Sequence, residues 1–228
     1  MSRSDDTCWT LIEEAAQGHD HQREAFARFY EPIVRAYFYA RWRNTPLLGE
    51  IDDAVQELFV DCLRPQGALE RFERGKGPGF RAFLYGVVRN VARRIEQKRR
   101  RSKEKPIDGG LDANRVPADD ESLGAAFDRS WARALLREAG RRQQEIAGEK
   151  GEAALERVRL LKLRFEEGLP IREIARRWDT DAARLHHVYA TARKDFLRCL
   201  GEVVSYHDPE SAPEDVQREC RRLLELTG

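Results

Sequence analysis

Residues 80–95 read FRAFLYGVVRNVARRI, and this stretch decides the fold class. Its apolar side chains recur three and four residues apart, which is the spacing of a helix with one buried face. Another face carries Arg81, Tyr85, Arg89 and Arg93 at intervals of four. The pattern therefore predicts a long helix with an apolar side and a basic side.

Similar spacing on both sides of this stretch predicts further helices. An aromatic helix is expected over 22–43, and an acidic helix is expected from Asp52 to the breakers near Pro65. Helical spacing resumes after residue 122, and residues 170–178 and 185–199 form two helices joined by a short turn, which favours a helix-turn-helix. The predicted fold is all-α, with two small helical domains joined by a linker and a helix-turn-helix in the second.

A change of composition marks the domain boundary. Residues 106–120 are rich in Gly, Pro, Asp and Asn and poor in large apolar residues, as expected of a linker. The chain is accordingly divided into a first helical domain at 1–101, an acidic flexible linker at 102–122, a second helical domain at 123–205 and a C-terminal helical extension at 206–228.

Composition restricts the class of protein. The net charge is only +1, so any attraction to phosphate must come from local clusters of cations. The four cysteines are too scattered for a zinc site or an evident disulfide framework, which favours a reducing cytoplasm. No apolar run approaches the roughly 20 residues that span a bilayer. We expect a cytoplasmic location and no membrane insertion.

Two surfaces have residue types suited to DNA. On the second helix of the helix-turn-helix, the outward set would read base edges and hold phosphates in the major groove. This set comprises Arg184, His186, His187, Thr191, Arg193 and Lys194. The alternative is an ordinary helical hairpin with a solvated charged face.

The second surface combines the basic side of the 80–95 helix with the glycine-rich segment ERGKGPG at 73–79. Cations can follow a nucleic-acid backbone, and rings or loop pockets can receive unstacked bases, so this surface suits single-stranded DNA. The alternative is the solvated exterior of a helix with a basic tail.

The acidic helix offers Asp52, Asp53, Glu57 and Asp61. Acid–base catalysis or a metal site would use such carboxylates, but no His or Cys stands near them at ligand spacing. A solvated acidic face is the simplest interpretation, and a protein-docking face is a second. His186 and His187 are adjacent and point in different directions on a helix, so they form a poor metal site. We predict no catalytic residue, no metal and no cofactor, and the protein is not expected to be an enzyme.

Residues 51–59, IDDAVQELF, are similar to the acidic D-x-x-Q-E-x-F pattern in region 2.2 of the extracytoplasmic-function group of bacterial sigma-70 factors. Residues 80–90, FRAFLYGVVRN, resemble that family's next block, F-R-x-W/F-L-x-x-x-x-R-N. Residues 168–175, GLPIREIA, resemble the start of its region 4.2. The segment 127–131 and the dipeptide at 208–209 also resemble a planctomycete-type subgroup.

The resemblance implies a sigma factor that directs core RNA polymerase to promoter DNA and assists promoter opening. Polymerase binding would involve Asp52, Asp53, Gln56 and Glu57. The minus-10 element would be bound by Phe72, Arg74, Lys76, Arg81, Tyr85, Arg89, Asn90, Arg93 and Arg94, and the minus-35 element by the outward set of the helix-turn-helix. An anti-sigma factor is a further implied partner, and the acidic linker would lie in the channel that holds RNA.

The chain departs from the family at two places. The usual start of the recognition helix, G-T-V-K/R-S, is replaced by ARLHH at 183–187, so the bases that it reads do not follow from the resemblance. Residues 141–151 lengthen the second domain. Two rival hypotheses stand beside the sigma factor: a polymerase-independent helix-turn-helix regulator that binds an operator as a dimer, and a hydrolase that uses the carboxylates of the acidic helix.

Overall fold

The computed structural model describes residues 8–72, 79–103 and 119–227 of the chain. Within these ranges the chain forms α-helices and one short 3-10 helix at Leu48–Glu50, with no strand, so the prediction of an all-α fold is confirmed. The α-helices are α1 (Cys8–Gln17), α2 (Asp20–Trp42), α3 (Ile51–Leu63), α4 (Gly79–Lys103), α5 (Asp120–Lys150), α6 (Glu152–Phe165), α7 (Ile171–Arg177), α8 (Ala182–His207) and α9 (Pro213–Glu225).

The described chain divides into two compact units. The first comprises the described residues within Met1–Ala134, Tyr206–Glu210 and Leu226–Gly228, and the second comprises Leu135–Ser205 and Ser211–Glu225. The division falls inside α5, so the first half of this helix packs with the first unit and its second half with the second unit. The functional domains assigned from the sequence at 1–101 and 123–205 stay a prediction.

Aromatic side chains of α2 form the centre of the first unit. Phe26, Tyr30, Tyr37, Phe38 and Trp42 are fully buried, as the apolar periodicity of residues 22–43 predicts. Rings of α2 and α4 meet directly, with the Tyr30 and Phe80 centroids 5.2 Å apart. Large ring surfaces of this kind supply much of the apolar burial of a small domain.

An ion pair between buried Arg41 and half-buried Glu96 joins the end of α2 to α4. The Arg41 Nε lies 2.6 Å from the Glu96 Oε1, and the indole N–H of Trp42 donates to the same carboxylate at 2.9 Å. Burial acts to raise the pKa of Glu96, but the hydrogen bonds from Arg41 and Trp42 outweigh it and hold this pKa below its ordinary value. The carboxylate is therefore charged, and it accepts three hydrogen bonds from Arg41 and Trp42.

The turn after α3 requires a glycine. A Cβ atom at Gly67 would lie 2.5 Å from the Arg64 carbonyl oxygen, 2.7 Å from that of Cys62 and 2.8 Å from that of Asp61. No side chain fits at such distances. The close turn brings Ala68 and Leu69 back against α3, where their N–H groups donate to the carbonyl oxygens of Asp61 and Cys62.

The second unit contains the predicted pair of helices α7 and α8. Residues 178–181 join them, and the Asp181 carboxylate accepts a hydrogen bond from the backbone N–H of Arg184 at 3.0 Å, which caps α8. Their buried contact is built on Ile171, Ile174, Ala175 and Leu185, with Leu160 of α6. Gly168, with a φ of +69°, ends the preceding segment in the left-handed region that glycine tolerates best.

Helix α1 was not predicted from the sequence. Its buried contacts come from Ile12 and Ala15, which are too few to make a clear apolar stripe in a ten-residue helix. Across the described part of the chain, no helix has the length and apolar character needed to cross a membrane.

Candidate polymerase and nucleic-acid surfaces

The acidic face of α3 exposes most of the residues predicted to bind polymerase. Asp52, Asp53 and Gln56 are exposed, and Glu57 is half-buried. Two acidic residues at the start of a helix are favourably placed with respect to its positive end. Val60, which the sequence analysis did not single out, lies one turn beyond Gln56 and is 63% exposed. The resulting surface combines anionic, amide and apolar groups.

Two of the carboxylates are bound within the first unit. Asp52 Oδ1 accepts a hydrogen bond from Arg35 at 2.6 Å, and this contact, followed by that with Glu31, raises the pKa of Arg35. Glu57 Oε1 accepts hydrogen bonds from the Nε and one terminal nitrogen of Arg94, at 2.8 and 2.6 Å. Asp53 and Gln56 therefore form the part of the predicted docking set that is both exposed and outside these two ion pairs.

Arg94 belongs to the predicted DNA set and contacts α3, and its role in binding DNA stays a prediction. Besides Glu57, it binds the Asp61 carboxylate at 2.5 Å. Partial burial acts to lower the pKa of Arg94, and the hydrogen bonds to Asp61 and Glu57 outweigh it, so the pKa is raised. The structure thus joins one residue of the predicted DNA set to one residue of the predicted polymerase set.

Three further residues of the predicted DNA set lie against the first half of α5. The guanidinium of Arg81 pairs with the Asp128 carboxylate, and that of Arg89 pairs with Asp120 at 2.5 Å. The ring of Tyr85 lies between Tyr37 and Phe127, with centroid distances of 5.7 and 5.3 Å. We call Arg81, Tyr85 and Arg89 the Arg81–Arg89 face. All the partners of this face belong to the first unit.

Other members of the predicted minus-10 set differ in exposure. Asn90 and Arg93 are exposed on α4. Phe72 is half-buried and packs against Phe83 and Phe80, with ring centroids 4.6 and 5.4 Å apart. Arg74 and Lys76 lie outside the described residues. The described members therefore do not form one continuous exposed surface.

The predicted outward set on α8 is exposed throughout. It comprises Arg184, His186, His187, Thr191, Arg193 and Lys194. The Arg193 guanidinium lies 5.9 Å from the centroid of the Tyr189 ring, within the range of a cation–π interaction. The Thr191 hydroxyl donates to the His187 carbonyl oxygen at 3.1 Å. The face is therefore cationic and open to a ligand in this structure of the second unit.

The acidic partners Asp120 and Asp128 were not predicted from the sequence. They lie 31 and 47 residues from Arg89 and Arg81, so local spacing gives no sign of these pairs. Exposed Phe165 near Tyr189 was also missed, because its helical position predicts burial. Among the described residues, no group of three or more His, Cys, Asp or Glu side chains is arranged to hold a metal ion.

Residues 19–104 match the family model described as Sigma-70 region 2. This stretch contains α2, α3 and α4, and therefore both the acidic face and the Arg81–Arg89 face. The match supports a sigma factor of the sigma-70 family, with a role in transcription initiation. It implies core RNA polymerase and promoter DNA as partners, and the family consists of regulators of transcription without enzymatic activity. No curated protein matches the chain.

Proposed function

We propose that this protein is a sigma factor of the extracytoplasmic-function type, which directs core RNA polymerase to specific promoters and assists their opening. The observation that carries the proposal is the Sigma-70 region 2 match over residues 19–104, which includes the exposed acidic face of α3. The protein binds and positions polymerase, and the chemistry of RNA synthesis belongs to the polymerase. It acts in the cytoplasm, where its partners are.

The acidic face of α3 is the proposed docking surface for core polymerase, through Asp52, Asp53, Gln56 and Glu57. Exposed anions steer an encounter with a basic partner surface and suppress wrong partners. Asp53 and Gln56 are the residues that we expect to contact polymerase most directly, because Asp52 and Glu57 also hold Arg35 and Arg94.

The minus-10 element is the proposed ligand of α4 and the segment before it. Asn90 and Arg93 are exposed and offer an amide and a cation, which suit a base edge and a phosphate. Phe72, Arg74, Lys76, Arg81, Tyr85, Arg89 and Arg94 complete the proposed set. Single-stranded DNA suits such a mixture of rings and cations.

The second domain is proposed to be region 4-like and to hold the minus-35 element. Support comes from the short turn between α7 and α8 and from the exposed cationic set on α8. In a helix-turn-helix the second helix enters the major groove with such side chains outward. The residues are Arg184, His186, His187, Thr191, Arg193 and Lys194, and duplex DNA is the expected ligand.

The test is transcription from a promoter library by cognate core polymerase, with and without this protein. The decisive variant is Asp53→Arg/Gln56→Arg, which reverses or adds charge on the proposed docking face. The matched control is Glu13→Arg/Gln17→Arg, which makes the same charge change on exposed positions of α1. We expect protein-dependent transcripts that the first double variant loses and the control retains.

Two other results would contradict the proposed function or the proposed docking face. A folded protein that supports no transcripts, but binds a specific duplex alone, would be a polymerase-independent regulator. If both double variants lost transcripts equally, the charge change alone would explain the effect. The acidic face would then have no specific role in binding polymerase.

A further inference from the structure

The first half of α5 covers the Arg81–Arg89 face within the first unit. We call residues 120–134 the cover segment. Besides the two ion pairs of its Asp120 and Asp128, the cover segment is attached to α2, because the Ser130 hydroxyl donates to the Pro32 carbonyl oxygen at 3.2 Å. The Trp131 ring stacks on Tyr30, with centroids 5.9 Å apart.

The ion pairs have the spacing of a ladder. Arg81 and Arg89 are eight residues apart on α4, and their partners Asp128 and Asp120 are eight residues apart on α5, in the opposite order. Eight residues of helix correspond to about 12 Å, so two carboxylates meet two guanidiniums along antiparallel segments. Carboxylate and phosphate oxygens accept from guanidinium in the same way. The cover segment thus occupies the arginines with groups that resemble two phosphates of a nucleic-acid strand.

The covered arrangement leaves one polar group unsatisfied. The Nε of Arg89 is buried with no hydrogen-bond acceptor among the described residues. A buried donor without an acceptor reduces the stability of the state that contains it. Asp120 is 60% exposed, so its ion pair with Arg89 contributes modestly, whereas Asp128 is mostly buried beside a partly exposed Arg81. These features favour a contact that a competing anion can replace.

We propose that the cover segment is an internal competitor of DNA, and that it must leave the Arg81–Arg89 face before single-stranded promoter DNA binds there. The inference rests on the proposed function in taking this face as part of the minus-10 surface. Release exposes two cations and the Tyr85 ring together, which is the combination that binds an unpaired strand. Free protein is thereby kept from binding DNA through this face.

The experiment compares two isosteric double variants of the full chain. Asp120→Asn/Asp128→Asn removes both carboxylate charges of the ladder. Glu121→Gln/Glu149→Gln makes the same charge change at exposed positions of α5 outside the described ion pairs. The probe is a fluorescein-labelled oligothymidylate of about 20 nucleotides, longer than the site of one small domain. Binding is followed by fluorescence anisotropy at low salt, and circular dichroism checks folding.

We expect the Asp120/Asp128 variant to bind the probe about three- to tenfold more tightly than the wild type, because the two ion pairs no longer oppose binding. The control variant should bind as the wild type does. In amide hydrogen exchange, the probe should accelerate exchange in residues 120–134 and leave residues 135–150 of the same helix unchanged. Three results would each overturn the proposal. Both variants could gain equal affinity for the probe, or neither variant could bind it. The probe could also bind without changing amide exchange in the cover segment.

The transcription assay separates this inference from the proposed function. If the cover segment fails these tests while transcripts still depend on the protein, the sigma-factor proposal stands and internal competition is wrong. If no transcripts appear but the Asp120/Asp128 variant alone gains affinity for the probe, the cover stands as a property of a DNA-binding surface and the sigma-factor proposal is wrong.

Discussion

Arg94 of α4 binds Glu57 of α3 through its Nε, 2.8 Å from the carboxylate Oε1, and binds Asp61 through a terminal nitrogen at 2.5 Å. Glu57 is thereby oriented by a residue outside its own helix. A change at Glu57 can act on polymerase directly or through Arg94, whereas a change at Asp61 removes an Arg94 partner that is outside the predicted docking set. This difference allows the two roles to be separated.

The first prediction concerns Glu57→Gln. The amide oxygen can still accept from Arg94, and the pair is at least 42% exposed on both sides, so we expect less than about 1 kcal/mol of lost stability. Protein-dependent transcription should fall, because the docking face loses an anion. Asp61→Asn is the matched control and should retain transcription. Equal losses in both variants would show that Glu57 acts through Arg94.

The second prediction concerns the half-buried carboxylate of Glu96. Glu96→Gln leaves the Arg41 guanidinium buried beside a neutral group, and we expect a loss of about 2–4 kcal/mol in the free energy of unfolding. Urea denaturation followed by circular dichroism measures it. Glu13→Gln, at an exposed position of α1, should change stability by less than about 0.5 kcal/mol. A loss at Glu96 no larger than at Glu13 would contradict the role given to this ion pair.

The third prediction is the pH dependence of the same group. The pKa of Glu96 is lowered in the folded state, so its contribution to stability is fully present above the ordinary carboxyl pKa and is lost as the pH falls through the lower folded value. We expect the stability difference between wild type and Glu96→Gln to be constant from neutral pH down to the ordinary pKa and to shrink below it. Denaturation series at several pH values measure this difference. If this stability difference grew as the pH fell, the result would contradict a lowered pKa of Glu96 in the folded state.

The fourth prediction concerns Gly67 after α3. Gly67→Ala places a Cβ within 2.5–2.8 Å of three carbonyl oxygens, so the turn must open. We expect a loss of about 1–3 kcal/mol, as for other overpacked sites. Gly49→Ala is the control, because its Cβ would meet nothing within 4 Å, and its effect should be under about 1 kcal/mol. Thermal unfolding compares the two, and similar midpoints would count against the close turn.

Much of the fold follows from local patterns in the sequence. The aromatic stripe of residues 22–43 predicts α2, and the apolar stripe of 80–95 predicts α4, because each stripe is long enough to define a buried face. In the second unit, Asp181 predicts the start of α8. Gly168 predicts the end of the helix that precedes Pro170. Helix α1 has only a narrow apolar stripe, and its existence depends on packing against the rest of the first unit.

The candidate surfaces follow from the sequence less completely. The outward residues of α8 are exposed as predicted, since helical periodicity is sufficient to find a face. The occupation of Arg81, Arg89 and Arg94 by carboxylates depends on contacts between residues 31 to 47 positions apart, which no local pattern encodes. The sequence therefore suggests that these three arginines are free to bind phosphate, whereas in the structure they form ion pairs with carboxylates.

The antiparallel ladder of Arg81 and Arg89 with Asp128 and Asp120 also restricts how the chain can change in length. One residue inserted between the two aspartates would turn one of them by about 100° around the helix axis and separate it from its arginine. An insertion between the two arginines would do the same. The two eight-residue intervals must therefore keep their length for as long as the contact is retained.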